Sequence, residues 1–152
     1  MAASGGDIPI PSQSRQGTPG LFARSLRNSY RHPEMRQALR VFGMDQHAII
    51  IANADGVIQL WSAGAVSLFG HDAANAVGRK LDLVIPQEFR DLHWKGFGHA
   101  MKMAAVNGEG AFFDIPGLCN GEVRTLRGQL HVLRDEGKAA IGAMAIFTPK
   151  GA

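Results

Sequence analysis

His93 is the side chain of this sequence with the clearest capacity for chemistry. It lies in a stretch of helical periodicity after Pro86, in which Phe89, Phe97 and Met101 recur with it every four residues. Because residues four apart share one face of a helix, the imidazole is expected on an apolar inner face. A neutral imidazole in that setting can offer a nitrogen to a haem iron. The alternative is a histidine that only hydrogen-bonds a neighbouring loop.

Other catalytic patterns are weaker. The glycine-rich pieces 96–98 and 108–110 lack the Lys-Ser/Thr ending of a phosphate-binding loop,. Asp72, beside His71, is explained as a helix cap. The single cysteine, Cys119, excludes an intramolecular disulfide and any multi-cysteine metal site,. We therefore predict that the protein is not an enzyme.

The composition suits one domain with a basic leader. The chain has 152 residues, is 45% hydrophobic and carries a net charge of +3. Residues 1–40 hold six arginines against two acidic residues, whereas the remainder holds ten basic and eleven acidic residues. Residues 1–30 are predicted to form a disordered, solvated leader, and no nucleic-acid partner is expected. Without a signal sequence or a membrane span, the protein is predicted to be cytoplasmic.

Residues 31–43 are predicted to form an amphipathic N-terminal helix. Pro33 and Glu34 suit its first turn and Gly43 its end,. The apolar positions 35, 38, 39 and 42 share one face,. This face must cover the domain's own sheet or the helix of a partner, so a homodimer through this helix is expected.

The remaining pattern predicts an α+β fold. Turn signals such as Asp55-Gly56 and Asn120-Gly121 separate strand-like runs from helical ones,. The order is two strands, three helical stretches and three strands, at 47–53, 57–61, 62–69, 72–77, 86–106, 111–118, 123–133 and 139–147. Strands grouped at both ends predict a five-stranded antiparallel sheet with helices on one face.

Several sequence pieces in this order carry a family resemblance. They are IANADGVIQLWS at 51–62, AVSLFGHD at 65–72, VGRKL at 77–81, IPQEFRDLH at 85–93 and IPGLCNG at 115–121. Residues 44–149 thereby resemble the PAS domain, a fold of sensor and interaction modules. The resemblance implies a cavity between the sheet and the long helix, and leaves its ligand open.

A finer resemblance concerns haem. Pro86, Arg90 and His93 keep the Pro-x-x-x-Arg-x-x-His spacing of the haem-binding PAS oxygen sensors of rhizobial histidine kinases, the FixL type. The resemblance implies that His93 is the iron ligand of a b-type haem. The place of the oxygen-binding arginine of that group falls near Phe112, which cannot donate a hydrogen bond to oxygen.

The other haem contacts are assigned by position. On the long helix Phe97 and Met101 would line the cavity, and His99 would approach the propionates. On the last two strands Leu126 and Leu130 would form an apolar ceiling, with room at Gly128, and Met144 would be a sixth ligand or packing. Trp94 is expected on another helix face, in a helix–helix or dimer contact.

Flavin is the competing cofactor. Light-sensing PAS proteins carry a reactive cysteine in a segment before the long helix, which residues 62–93 do not resemble. Cys119 falls in a turn instead, which argues against a flavin photoadduct.

These observations predict a single-domain PAS sensor that binds haem through His93. It would signal a diatomic gas or a redox change to a separate signalling protein. The alternative is a haem-free PAS interaction and dimerisation module, with a cavity that is filled or binds a small molecule.

Overall fold

A computed structural model describes residues 46–148, together with Pro33 and Gln37. The predicted leader at 1–30 and all but these two residues of the predicted helix at 31–43 lie outside the described residues. The strands are β1 (Ala48–Asn53), β2 (Ile58–Trp61), β3 (Phe113–Cys119), β4 (Glu122–Arg134) and β5 (Ala140–Thr148). The helices are α1 (Ala63–Phe69), α2 (Ala73–Ala76) and α3 (Arg90–Met103), with short 3-10 turns at Leu81–Leu83 and Gln87–Phe89.

The five strands form one antiparallel sheet in the order β2-β1-β5-β4-β3. The β3–β4 hairpin closes on Asn120 and Gly121, whose φ angles of 51° and 80° are those of a type I′ turn,. All three helices lie between β2 and β3 in the chain. The last strand, β5, lies at the centre of the sheet between β1 and β4. The predicted five-stranded antiparallel architecture is confirmed.

Helix α1 shows how local chemistry fixes the elements. The Ser62 hydroxyl accepts a hydrogen bond from the backbone N–H of Ala65 at 3.1 Å, which caps the first turn,. Gly70 ends the helix at a φ of 81°, a left-handed conformation that glycine adopts without a Cβ penalty,. Asp72 precedes α2 as predicted, but its side chain makes no capping hydrogen bond.

The long helix is shorter than the periodicity predicts. A 3-10 turn precedes α3, which then ends at Ala104 in a left-handed conformation with a φ of 50°. Phe89 lies in that 3-10 turn and is 37% exposed, so it is not on the inner face. The 3-10 turn changes the angular spacing of side chains, because it has about three residues per turn instead of 3.6.

The register of the sheet separates its two faces. Ile50 of β1 pairs with Ala145 of β5, and both pack in the core beneath the helices. Their chain neighbours Ile51 and Met144 also pair with each other. Because successive side chains of a strand point to opposite faces, this second pair lies on the face away from the helices.

Candidate functional site

A pocket of about 340 Å³ lies where α3 meets the turn between β1 and β2. It is lined by Ala54 and Asp55 of the turn, Lys80 and Asp82 of the following segment, and Trp94, Phe97 and Gly98 of α3. Its volume is near the lower end of the range of about 300–1,000 Å³ that is usual for small-molecule sites. The pocket therefore has room for a small organic ligand.

The β1–β2 turn forms one wall of the pocket and is stabilised by the side chain of Asn53. The Asn53 side-chain carbonyl accepts hydrogen bonds from the backbone N–H groups of Asp55 and Val57, each at 3.0 Å,. Gly56 then adopts a φ of 74°, and the ring of Trp94 lies directly against its Cα. A side chain at position 56 would overlap that ring, so the glycine permits the close approach of helix and turn.

A second wall comes from the segment before α3, which is hydrogen-bonded along β2. The backbone N–H of Leu81 donates to the carbonyl of Gly56 at 3.0 Å, and Lys80 forms an isolated bridge with Val57. This pairing brings the ammonium of Lys80 to 5.5 Å from the centre of the Trp94 ring. The same ammonium donates to the backbone carbonyl of Asp55 at 2.5 Å.

Asp82 ties this segment to α3. Its carboxylate accepts a hydrogen bond from the indole N–H of Trp94 at 2.7 Å. Arg90 donates through Nη2 to the Asp82 backbone carbonyl at 3.2 Å, and its Nε lies 4.0 Å from the carboxylate. The Trp94 ring is thus held by the hydrogen bond to Asp82, with Gly56 against the edge of its six-membered ring and the Lys80 ammonium over its face.

His93 adjoins the pocket and does not line it. Its ring is half-buried and lies 5.0 Å from the Trp94 ring and 5.9 Å from the Phe97 ring, measured between centres. The Nδ1 atom is buried without a hydrogen-bond partner in the part of the chain that the structure describes. Burial lowers the pKa of His93, and the nearby negative charge of Asp82 opposes that shift,. The imidazole is therefore held towards its neutral form.

The helical members of the predicted site occupy different surroundings. Phe97 lines the pocket, and Met101, one turn further along α3, is half-buried outside it. His99 is exposed. Among these residues, α3 brings only His93 and Phe97 close to the pocket.

The strand members of the predicted site do not converge on His93. Leu126 is buried in the core, and Leu130 is half-buried on the same face of β4. Met144 pairs with His131 on the opposite face of the sheet. It therefore lies away from the helices and from His93, because the sheet itself stands between them.

The core side of β4, where the sequence predicts room at Gly128, is filled by the protein's own side chains. A Cβ placed on Gly128 would come within 2.9 Å of the Phe147 ring, so the room expected there is taken. Phe147 in turn packs against Phe69, with 5.4 Å between ring centres, and Leu126 closes over Gly117. Burial favours the neutral imidazole that an iron ligand needs, but Phe69, Phe147 and Leu126 leave no room for a porphyrin beside Gly128 in this packing.

The sequence does not predict the polar side chains of the pocket. Lys80 and Asp82 belong to a segment with no helical or strand periodicity, so nothing in the sequence pattern indicates that they line a site. Trp94, expected at a helix–helix or dimer contact, packs against the β1–β2 turn at Gly56. The signal that could have found this site is the Asp55-Gly56 turn, since a glycine there leaves space for an aromatic ring.

Two further features bound the chemistry. Within residues 46–148, no group of three His, Cys, Asp or Glu side chains could hold a bare metal ion. Cys119 is fully buried, and burial raises the pKa of its thiol, which disfavours the reactive thiolate,.

No helix of the described part of the chain is long and apolar enough to cross a membrane.

A family model described as PAS fold matches residues 44–149. The chain therefore belongs to the PAS family, whose members are sensory domains of signalling proteins. The predicted PAS fold is confirmed, whereas the finer likeness to haem-binding oxygen sensors has no support from these comparisons. No curated protein matches the chain at a significant level.

Solved PAS domains share the architecture. A PAS domain from Colwellia psychrerythraea has a TM-score of 0.60 and 18% identity, covering 75% of this chain and 94% of that chain. The PAS domain of Bordetella pertussis BvgS has a TM-score of 0.55 and 15% identity, covering 80% and 89%. The PAS domain of the Cronobacter turicensis quorum-sensing receptor RpfR, in complex with C12:0, has a TM-score of 0.53 and 12% identity, covering 69% and 94%. At these identities the likeness concerns the fold.

Proposed function

We propose that this protein is a haem-free PAS sensor module that binds a small organic ligand in the pocket between the β1–β2 turn and α3. The observation that carries the proposal is the pocket itself, of about 340 Å³, with aromatic side chains on one wall and charged ones on the other. Concave sites with apolar walls and a few placed polar groups are the usual form of small-molecule sites. The alternative drawn from the sequence, a module with a small-molecule cavity, is thereby preferred.

Signal transmission in this proposal runs through Trp94. The ring contacts the hairpin turn at Gly56 and is hydrogen-bonded to Asp82, so a ligand beside it touches two separate elements at once. A ligand shifts a conformational equilibrium only if it binds one arrangement more tightly than another. Displacement of the Trp94 ring would supply that difference, because the β1–β2 hairpin packs directly on it. The change would pass to a separate signalling protein.

The proposal includes a homodimer formed through the amphipathic segment at 31–43. Its apolar positions, among them Leu39 and Phe42, share one helical face in the sequence pattern,. Light scattering of the full chain and of Leu39→Arg tests this part. We expect a dimer mass for the wild type and a monomer mass for the variant, and a monomeric wild type would contradict it.

Ligand binding is tested with three phenylalkyl probes of matched size and different charge: phenethyl alcohol, phenethylammonium and hydrocinnamate. The indole N–H resonance of Trp94 reports binding in the full chain, and Trp94→Phe identifies that resonance. We expect at least one probe to shift it.

Two glycines of α3 provide a matched pair of variants. Gly98 lines the pocket and Gly96 does not, and within the described part of the chain no neighbouring atom comes within 4 Å of a Cβ added at either position. Gly98→Leu should abolish the probe-induced shift, while Gly96→Leu should retain it. The proposal fails if no probe binds, or if Gly98→Leu binds as well as Gly96→Leu.

Haem sensing through His93 is the second candidate. It is favoured by one observation, a buried Nδ1 atom that has no partner among the described residues, on an imidazole that is held towards neutrality. Haem, if bound, would supply the gas or redox response. Protein produced with haem available is compared with His93→Ala and with the exposed control His99→Ala. A Soret band that only His93→Ala removes would support this candidate, and a colourless wild type would reject it.

A further inference from the structure

The polar groups that surround the pocket are predominantly electron-rich. Asp55 contributes a backbone carbonyl, and both Asp55 and Asp82 line the space. The face of the Trp94 ring carries the negative end of its quadrupole. The indole N–H of that ring is already donated to Asp82 at 2.7 Å. Such a set of groups attracts positive charge.

A cation of the protein itself already lies between the Trp94 ring and the Asp55 carbonyl. The ammonium of Lys80 lies 5.5 Å from the centre of the Trp94 ring and donates to the Asp55 carbonyl at 2.5 Å. An ammonium within about 6 Å of an indole face is a cation–π contact. Lys80 itself is an exposed residue on a flexible four-carbon stem, so its head group can leave this position and be solvated,.

We propose that the pocket selects organic ammonium ligands, and that Lys80 is the internal cation that such a ligand displaces. This inference rests on the proposed function of the pocket. The ligand's ammonium would take over the Trp94 face and the Asp55 carbonyl, with the Asp82 carboxylate nearby. Its apolar body would lie against Phe97 and over Gly98, where the helix presents no side chain.

An anionic ligand makes the opposite demand. It would pair with Lys80, but it would then lie beside Asp55, Asp82 and the negative face of Trp94. Juxtaposition of like charges is a common device by which a site rejects a wrong ligand. Removal of Lys80 therefore has opposite consequences for the two ligand classes, which makes it the discriminating change.

The experiment titrates phenethylammonium and hydrocinnamate, one at a time, into the full chain and follows the Trp94 indole resonance. The variants are Lys80→Met, which keeps the apolar stem, Lys80→Gln as a second neutral form, and Asp82→Asn, which keeps an oxygen acceptor for the indole. Lys102→Met is the matched control, because it removes a positive charge of α3 outside the pocket.

We expect phenethylammonium to bind the wild type and to bind both Lys80 variants about two- to five-fold more tightly, the factor that corresponds to one exposed cation–π contact. Asp82→Asn should weaken it, and Lys102→Met should leave it unchanged. Preferential binding of hydrocinnamate that is lost in Lys80→Met would overturn the inference and leave the proposed function standing. Binding of neither charged probe to any variant would overturn the inference, and failure of phenethyl alcohol as well would overturn the proposed function with it.

Discussion

Substitution of Gly56 by alanine tests the packing that forms the pocket. Gly56 has a φ of 74°, and an added Cβ would overlap the Trp94 ring. The backbone term for a left-handed alanine is about 1–2 kcal/mol. The overpacking term for a restrained neighbour is about 1–3 kcal/mol, because the hydrogen bond from the Trp94 indole to Asp82 holds the ring in place,. Gly56→Ala should therefore lower the free energy of unfolding by about 2–5 kcal/mol.

Gly121 provides the matched control for the backbone term. Its φ is 80°, and nothing in residues 46–148 lies within 4 Å of an added Cβ. Gly121→Ala should therefore cost only about 1–2 kcal/mol. The difference between the two variants isolates the contact with Trp94.

Urea unfolding measures both variants, and an unchanged m-value shows that the midpoint shift reports stability. In the double variant Gly56→Ala/Trp94→Leu the clash is relieved, so a favourable coupling of about 1–3 kcal/mol is expected. Equal midpoint shifts for Gly56→Ala and Gly121→Ala, or the absence of coupling with Trp94→Leu, would refute the close approach of helix and turn.

Three further predictions concern single side chains. The hydrogen bond from Arg134 lowers the pKa of Glu109 to about 2. The free energy of unfolding contributed by this pair is therefore fully present above pH 4.5 and is lost as the pH falls towards 2,. Urea unfolding midpoints of Glu109→Gln should lack this acid-dependent loss. Burial lowers the pKa of His93, so the unfolded chain binds a proton at this residue more readily than the folded chain,. The free energy of unfolding of the wild type should therefore decrease as the pH falls below 6.5. In urea unfolding, this decrease should be smaller in His93→Gln. Ser62, 3% exposed, bonds the backbone N–H of Ile49 at 2.8 Å and caps α1, so Ser62→Ala should cost about 1–3 kcal/mol; a thermal midpoint equal to that of the wild type would contradict this,.

The elements of this fold were predictable because their signals act over a few residues. The Ser62 cap, the Gly70 terminus and the Asn120-Gly121 turn each depend on the chemistry of adjacent positions, and the structure contains all three. The five strands follow from runs bounded by such turns. The precise start of α3 was missed, because a 3-10 turn and an α-turn differ little in local pattern.

The candidate site was predictable only in part. His93 and Phe97 share a helix, so their proximity follows from helical spacing,. Lys80 and Asp82 reach Trp94 through backbone pairing between distant segments, which no local pattern encodes.

The sequence by itself determined the order of strands and helices, the turns that join them and the shared helical face of His93 and Phe97. Only the tertiary structure decided which face of each strand meets that helix. Residues 143–147 are apolar throughout, so alternation could not separate Met144 on the outer face from Ala145 and Phe147 in the core,. That choice depends on the register of β5 between β1 and β4, because a shift of one residue reverses every side chain,.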